Sequence, residues 1–233
     1  EISDTEYDEL FIELVQLEAQ YPDQYSINSP TQKVGSDSDD RFPSAPHTIP
    51  MASLQNSYQL SEIQLFTDRI DRELEGGEYK FDVEPKIDGV AVALRFKDGM
   101  LEIGLTRGDG KSGDVITDNV ATLKGVENLP ENWQSTVNGC SHFEVRGEAF
   151  LSLSRFRKLN EDRVGKGNAP FANPRNATAG TLKTLDSTVV GSRGLSVFFY
   201  RLFNCDGSEL FETHQLEIAA IEALNLPVNS FFR

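Results

Sequence analysis

The chain has 233 residues with 37 acidic against 22 basic side chains, giving a formal net charge of −15, and is 38% hydrophobic and 25% charged. Those proportions fit a globular protein with one good-sized core, or a core plus a small subdomain. No apolar run approaches the roughly 20 residues needed to cross a bilayer, and the opening residues carry no signal-peptide pattern. The acidity predicts that this piece alone binds nucleic acid poorly, although a few basic residues lining a cleft can still serve a local site. Cys140 and Cys205 form no CxxC unit, so neither a disulfide framework nor a zinc site is expected, and a reducing cytoplasm is the default location. The chain opens on Glu1 rather than Met and reads as a piece of a longer polypeptide.

In chain order, Ser3 and Glu6 have capping-box spacing, and Tyr7, Leu10, Leu14, Leu17 and Tyr21 recur at helical intervals up to Pro22. Residues 22–50 are rich in Ser, Asp and Pro and read as a link between a helical N-terminal element (1–50 with the linker) and a main domain over 51–233. A second helix is predicted from Ser61, capped by Gln64, with Ile63, Phe66, Ile70 and Leu74 on one face and a stop at Gly76-Gly77. The period then changes to two: Phe81–Ile87, Val90–Phe96 and Met100–Thr106 read as strands, the last two joined by a Lys97-Asp98-Gly99 turn. A short element near 117–124, a strand at 141–149 and a helix near 153–162 follow. Helices near 177–185 and 213–224 flank a strand at 195–202. Strand runs with separated helices predict an α+β domain with a largely antiparallel sheet.

The densest chemical signal is EPKIDG at 84–89. As a strand it would place Glu84, Lys86 and Asp88 on one face, with Gly89 allowing close backbone approach. The plain alternative is a solvated strand face. TRGDGKSGD at 106–114 sets Arg107 before a glycine-rich loop that is either an anion cradle or a surface turn. EVRGE at 144–148 alternates charges on one strand face, as a cross-strand ion-pair ladder would. Arg175 falls in ANPRNATAG, which carries too many Asn, Gly and Pro residues for a simple helix. A lysine, several carboxylates and two arginines at strand ends suit a nucleotide site.

K-x-D-G (Lys86, Asp88, Gly89) resembles the first motif of the covalent nucleotidyl transferases: DNA ligases, RNA ligases and capping enzymes. ISDTEYD at 2–8, SPTQKVG at 29–35, SLQN at 53–56, TRGDG at 106–110, EVRGE at 144–148 and FANPRNATAG at 171–180 resemble the NAD-dependent bacterial DNA ligases specifically. These strings run nearly end to end and keep the family's order.

The resemblance implies the nucleotidyl-transferase core of the DNA-ligase type. In it Lys86 attacks the α-phosphate of NAD, expels nicotinamide mononucleotide and holds AMP as a phosphoramidate, with Mg2+ in attendance. AMP then passes to a 5′-phosphate at a nick in double-stranded DNA. By the same matching Glu84 and Asp88 join Lys86 as catalytic residues. Glu84 sits near adenine, Glu148 near its ribose, Tyr200 stacks on the base, and Ser53, Leu54 and Ile87 help shape the pocket. Arg107, Arg175 and Lys183 lie where phosphate or DNA contacts are expected. Asp4, Tyr7 and Asp8 match the patch that grips nicotinamide mononucleotide, although helical spacing alone reads Tyr7 as a core residue.

Three departures stand out. An upstream Tyr-His pair and the later lysine-bearing strands of the family are absent, as are its oligonucleotide-binding, zinc-finger, helix-hairpin-helix and BRCT modules, where zinc would be expected. Lys183 stands where many relatives have Arg and lacks the bidentate fork. Gln55 replaces a common Asp. Two readings therefore stay open: a monomeric ligase fragment, slow or inactive alone, and a module that holds NAD or AMP without turnover. A third, an ATP-dependent ligase or capping-type transferase, would keep K-x-D-G but not ISDTEYD.

Overall fold

The computed structural model describes residues 4–24, 26, 29–32, 41–52, 54, 56–126 and 129–231. At its centre is a four-stranded antiparallel sheet in the order β3-β2-β5-β6, made of β2 (Val90–Lys97), β3 (Met100–Thr106), β5 (His142–Phe150) and β6 (Ser196–Asn204). Asp98 and Gly99 take positive φ (49° and 80°) and turn β2 tightly into β3, as the Lys-Asp-Gly signal predicts. A two-stranded sheet pairs β1 (Ser44–Pro46) with β4 (Ser112–Asp114). The α+β class and the antiparallel sheet are as expected.

Alternation on the strands divides the main sheet into two unlike faces. Val92, Leu94, Phe96, Phe143, Val145, Ala149, Val197, Phe199 and Leu202 are buried with side chains of α3 (Thr117–Val120), α6 (Pro174–Leu182), α7 (Ser187–Arg193) and α8 (His214–Ala223). Each fully buried side chain of this kind contributes about 1.5–3 kcal/mol. The opposite face holds a smaller apolar cluster, Met51, Ala93 and Leu105 with partly buried Ala45, Ala91, Ile103 and Val115, beside Phe203 and the charged side chains of Arg95, Glu144 and Arg146.

Several expectations need correction. The segment 81–88 is not a strand. Beyond Val90 its neighbours leave the sheet on both sides: β3 ends at Thr106 before the glycine-rich loop, and β5 ends at Phe150 before Ser152 caps α5 (Leu153–Gly165). No ladder is left to pair with it, and Phe81 and Val83 are exposed.

The Asn- and Pro-rich stretch around Arg175 is instead a helix. The Asn173 side chain accepts from the Asn176 amide at 2.7 Å and Pro174 opens the first turn, so residues read as breakers act as a start signal. That helix begins at Pro174, earlier than the expected 177. The second helix, α2 (Leu60–Glu73), starts one residue early because Glu62, not Gln64, accepts from the amides of Tyr58 (2.6 Å) and Gln59 (3.0 Å). It ends before the glycine pair, and its apolar face is not buried.

The strand Ser44–Pro46 lies inside the stretch read as a connection, and α4 (Trp133–Thr136), α7 and β4 were not anticipated. The first helix, α1 (Asp4–Gln20), is present as read, though Ser3 of its capping box lies outside the described residues.

Candidate functional site

The site is assembled where β2 begins. The Gly89 amide donates to Glu148 Oε1 at 3.2 Å, and a Cβ at Gly89 would collide with the Ala149 carbonyl. Only glycine lets the chain cross β5 this closely, so the close approach expected of Gly89 is real and its partner is β5. Just upstream, Glu84, Lys86 and Asp88 are exposed and Ile87 is partly covered, all four on irregular backbone. Because the segment is not a strand, period-two alternation does not put the three charged side chains on one sheet face.

On the other side of β5 the ladder skips a residue: Arg146 pairs with Arg201 and Gly147 with Phe199, leaving Tyr200 as the extra residue of a bulge. Bulges re-aim a side chain and are common beside sites. Arg175, in the first turn of α6, reaches Asp88 with Nη1–Oδ1 3.4 Å, an ion pair open to solvent. Lys86, Asp88, Gly89, Glu148, Arg175 and Tyr200 thus surround one end of β5.

Burial raises the Glu148 carboxyl above the ordinary glutamate range, and the positive charges of Lys86 and Arg175 only partly oppose the rise. Tyr200 is pushed up to about 12, first by burial and then by the Glu148 charge, so it remains a neutral phenol. A partly dry carboxyl, an aromatic ring, an arginine and a lysine converge here, and such a set can hold a hydroxylated, anionic ligand. Among the described residues no three His, Cys, Asp or Glu side chains cluster as a metal would require.

The charges of Glu84 and Arg107 are also felt by Tyr200 and so lie beside this set, whereas the other expected residues lie elsewhere or are otherwise engaged. The amides of Asp109, Gly110, Lys111 and Ser112 all donate within their own loop, two of them to the Asp109 carboxylate, so the loop after Arg107 is a closed turn rather than an open anion cradle. The Lys183 ammonium lies 3.2 Å from the buried Asp114 carboxylate. Leu54 is exposed, while Ser53 lies outside the described residues. Asp4, Tyr7 and Asp8 are in α1, and their side chains fall outside the described ones.

Sequence reasoning missed the strap at 46–51. Glu144, fully buried, accepts from Arg95 (2.8 Å), Arg146 (2.9 Å) and Thr48 Oγ1 (2.9 Å). Burial works against its charge, but these donors outweigh it and hold the carboxyl below the usual range. The same arginines donate to the carbonyls of Pro46 (2.7 Å, from Arg95), Pro50 (3.4 Å, from Arg146) and Ile49 (from Arg146). His47 Nε2 meets the Arg107 carbonyl at 2.9 Å and so carries the proton. Burial lowers its pKa and keeps it neutral. The ladder read into EVRGE is thus present for Glu144 and Arg95, which face each other across β5 and β2. The strap gave little warning because its periodicity is broken by Pro46 and Pro50.

Residues 39–233 match the model of the NAD-dependent DNA ligase adenylation domain. The chain belongs to that family. Residues 1–35 match a second model, the DNA ligase-like N-terminal NAD+-binding domain, over the stretch that contains α1. Among curated relatives, a DNA ligase of Citrifermentans bemidjiense is 44% identical over all of this chain and 35% of its own length. One of Geotalea uraniireducens is 42% identical over all of this chain and 34% of its own. One of Synechococcus is 41% identical over 98% of this chain and 34% of its own. The chain therefore spans about a third of the length of the relatives it matches. In this adenylation-domain member no helix among the described residues is long and apolar enough to cross a membrane.

Proposed function

We propose that this chain is the self-adenylating part of an NAD-dependent DNA ligase and that Lys86 is its nucleophile. The observation that carries the reading is the convergence of the K-x-D-G segment, Glu148, Tyr200 and Arg175 at one end of β5 in a chain of this family.

In the proposed step the neutral Lys86 amine attacks the α-phosphorus of NAD. An N–P bond forms, the P–O bond to nicotinamide mononucleotide breaks, and that mononucleotide leaves with the electron pair. The amine must first lose a proton, because a lysine is ordinarily charged near neutral pH. Asp88 and Glu84 are the exposed carboxylates nearest in sequence that could accept it, and the phosphates that arrive with NAD shift the local balance of charge. Glu148 offers its carboxyl to the ribose hydroxyls and Tyr200 its ring to the base, while Arg175 sits close enough to meet a phosphate. Ser53, Leu54 and Ile87 complete the adenosine pocket, Asp4, Tyr7 and Asp8 hold the nicotinamide half, and Arg107 serves phosphate. Lys183 is assigned to Asp114 in the free protein, so a DNA contact there requires that pair to open.

Magnesium, transfer of AMP to a DNA 5′-phosphate, nick sealing, a monomeric state and a cytoplasmic setting belong to the whole-protein reading. So does the division at residue 50. The test is intact-protein mass after incubation with magnesium and NAD, with ATP as the comparison. A single adenylyl adduct from NAD is expected, and an adduct formed equally from ATP would move the chain to the ATP-dependent class.

A further inference from the structure

We infer that Arg146, acting with the buried Glu144, is a positioning residue for the proposed nucleotide pocket, because it clamps the strap at 46–51 that packs on the Arg107 loop and leads toward Leu54. The inference rests on the proposed nucleotide site and extends it to residues that touch no ligand.

The strap needs an external clamp. Beyond β1 its backbone makes only two hydrogen bonds to the neighbouring loop, His47 N to Lys111 O (2.9 Å) and Met51 N to Gly110 O (2.8 Å). Its carbonyls at Pro46, Ile49 and Pro50 face the sheet and accept from two guanidinium groups instead. Those guanidiniums stay in place because each also donates to Glu144, which Thr48 ties back to the strap itself. Arg146 is pinned further by lying over the Phe203 ring at 4.8 Å.

One buried carboxylate therefore orients two forks, and the forks orient the strap. On its far side the strap fixes the turn after Arg107: Gly110, at φ +87°, lies so near Met51 that a Cβ there would be 2.9 Å from the Met51 carbonyl. Movement of the strap would move the Arg107 loop and, through Met51 and Ala52, the chain that leads to Leu54.

The test compares wild type with Arg146→Lys, which keeps a charge for Glu144 but cannot also reach both carbonyls. A second variant, Thr48→Val, removes only one donor to Glu144 and keeps the side-chain shape. Half-saturating NAD for adduct formation should rise about fivefold or more in the first and about twofold in the second, the scale of losing charge-assisted hydrogen bonds at a distance from the ligand. The saturated rate should change less than that, and the amides of His47 and Met51 should lose hydrogen-exchange protection. Loosened amides with unaltered NAD dependence would overturn the inference, as would weakened NAD dependence with fully protected amides. If the wild-type chain forms no adduct, the proposed function fails. NAD affinity read by calorimetry in the same three proteins then decides the clamp separately.

Discussion

The two halves of the candidate site are supported very differently. Glu148 and Tyr200 sit on strands whose opposite face is packed under four helices, and their titration is shifted by burial. Glu84, Lys86 and Asp88 sit on irregular, exposed backbone joined to the sheet at Gly89, where the amide meets Glu148. In the proposed site the residues assigned to adenosine are therefore preorganised by the core, whereas the segment assigned to the nucleophile is held by the Gly89 junction, an exposed ion pair and the ring contacts of Phe81 with Phe66 and Tyr79. Rigid support costs least where the ligand must be recognised, and slack is tolerable where a lysine has to approach a phosphorus and later release it.

This contrast can be broken or sharpened by substitution. The largest expected effect is in the shared core. Leu94→Ala, at a fully buried position, should cost about 2–5 kcal/mol, while Val83→Ala on the exposed segment should stay within about 0.5 kcal/mol. Denaturant melts of the two variants measure the difference, and equal losses would mean that the 81–88 segment is as well packed as the sheet.

Glu148 comes next, and its effect depends on pH. Its carboxyl titrates above the ordinary value of 4.5, so the stability of the neutral acid is intact below that pH and is lost as pH rises through the raised value. Glu148→Gln should therefore match wild type in thermal melting at about pH 4 and exceed it as pH rises through the raised value, the gap then holding level. A gap that narrows over that range would contradict the burial assigned to it.

The smallest expected effect is Asp88→Asn. Its pair with Arg175 is solvent-exposed on both sides, at 71% and 50%, so stability should change by less than about 0.5 kcal/mol. A calorimetric loss well above that would place Asp88 in a rigid network.

Much of the sheet was legible in the sequence, and so were the residues that converge in the candidate site. Alternation gave β2 closely because large apolar side chains (Val90, Val92, Leu94, Phe96) alternate with small or charged ones, and the Lys-Asp-Gly turn marks where β3 starts. The same rule failed at Phe81–Ile87, since period two reports side-chain pattern and not whether a neighbouring strand remains to pair with. Composition misjudged 172–180, where Asn173 and Pro174 act by position as cap and first residue. The clamp on the strap was beyond local reading: Pro46, Thr48, Arg95, Glu144 and Arg146 come from three distant segments, and only the register of β2 on β5 brings them together.

The central claim is that Lys86 is the residue that becomes adenylated, and locating the adduct tests it most directly. The chain and its Lys86→Ala variant are incubated with NAD and magnesium, digested and mapped by tandem mass spectrometry. The account predicts one AMP on the peptide containing Lys86, with nicotinamide mononucleotide released in equal amount, and no adduct in the variant. An adduct on another residue, or one that survives Lys86→Ala, would contradict it.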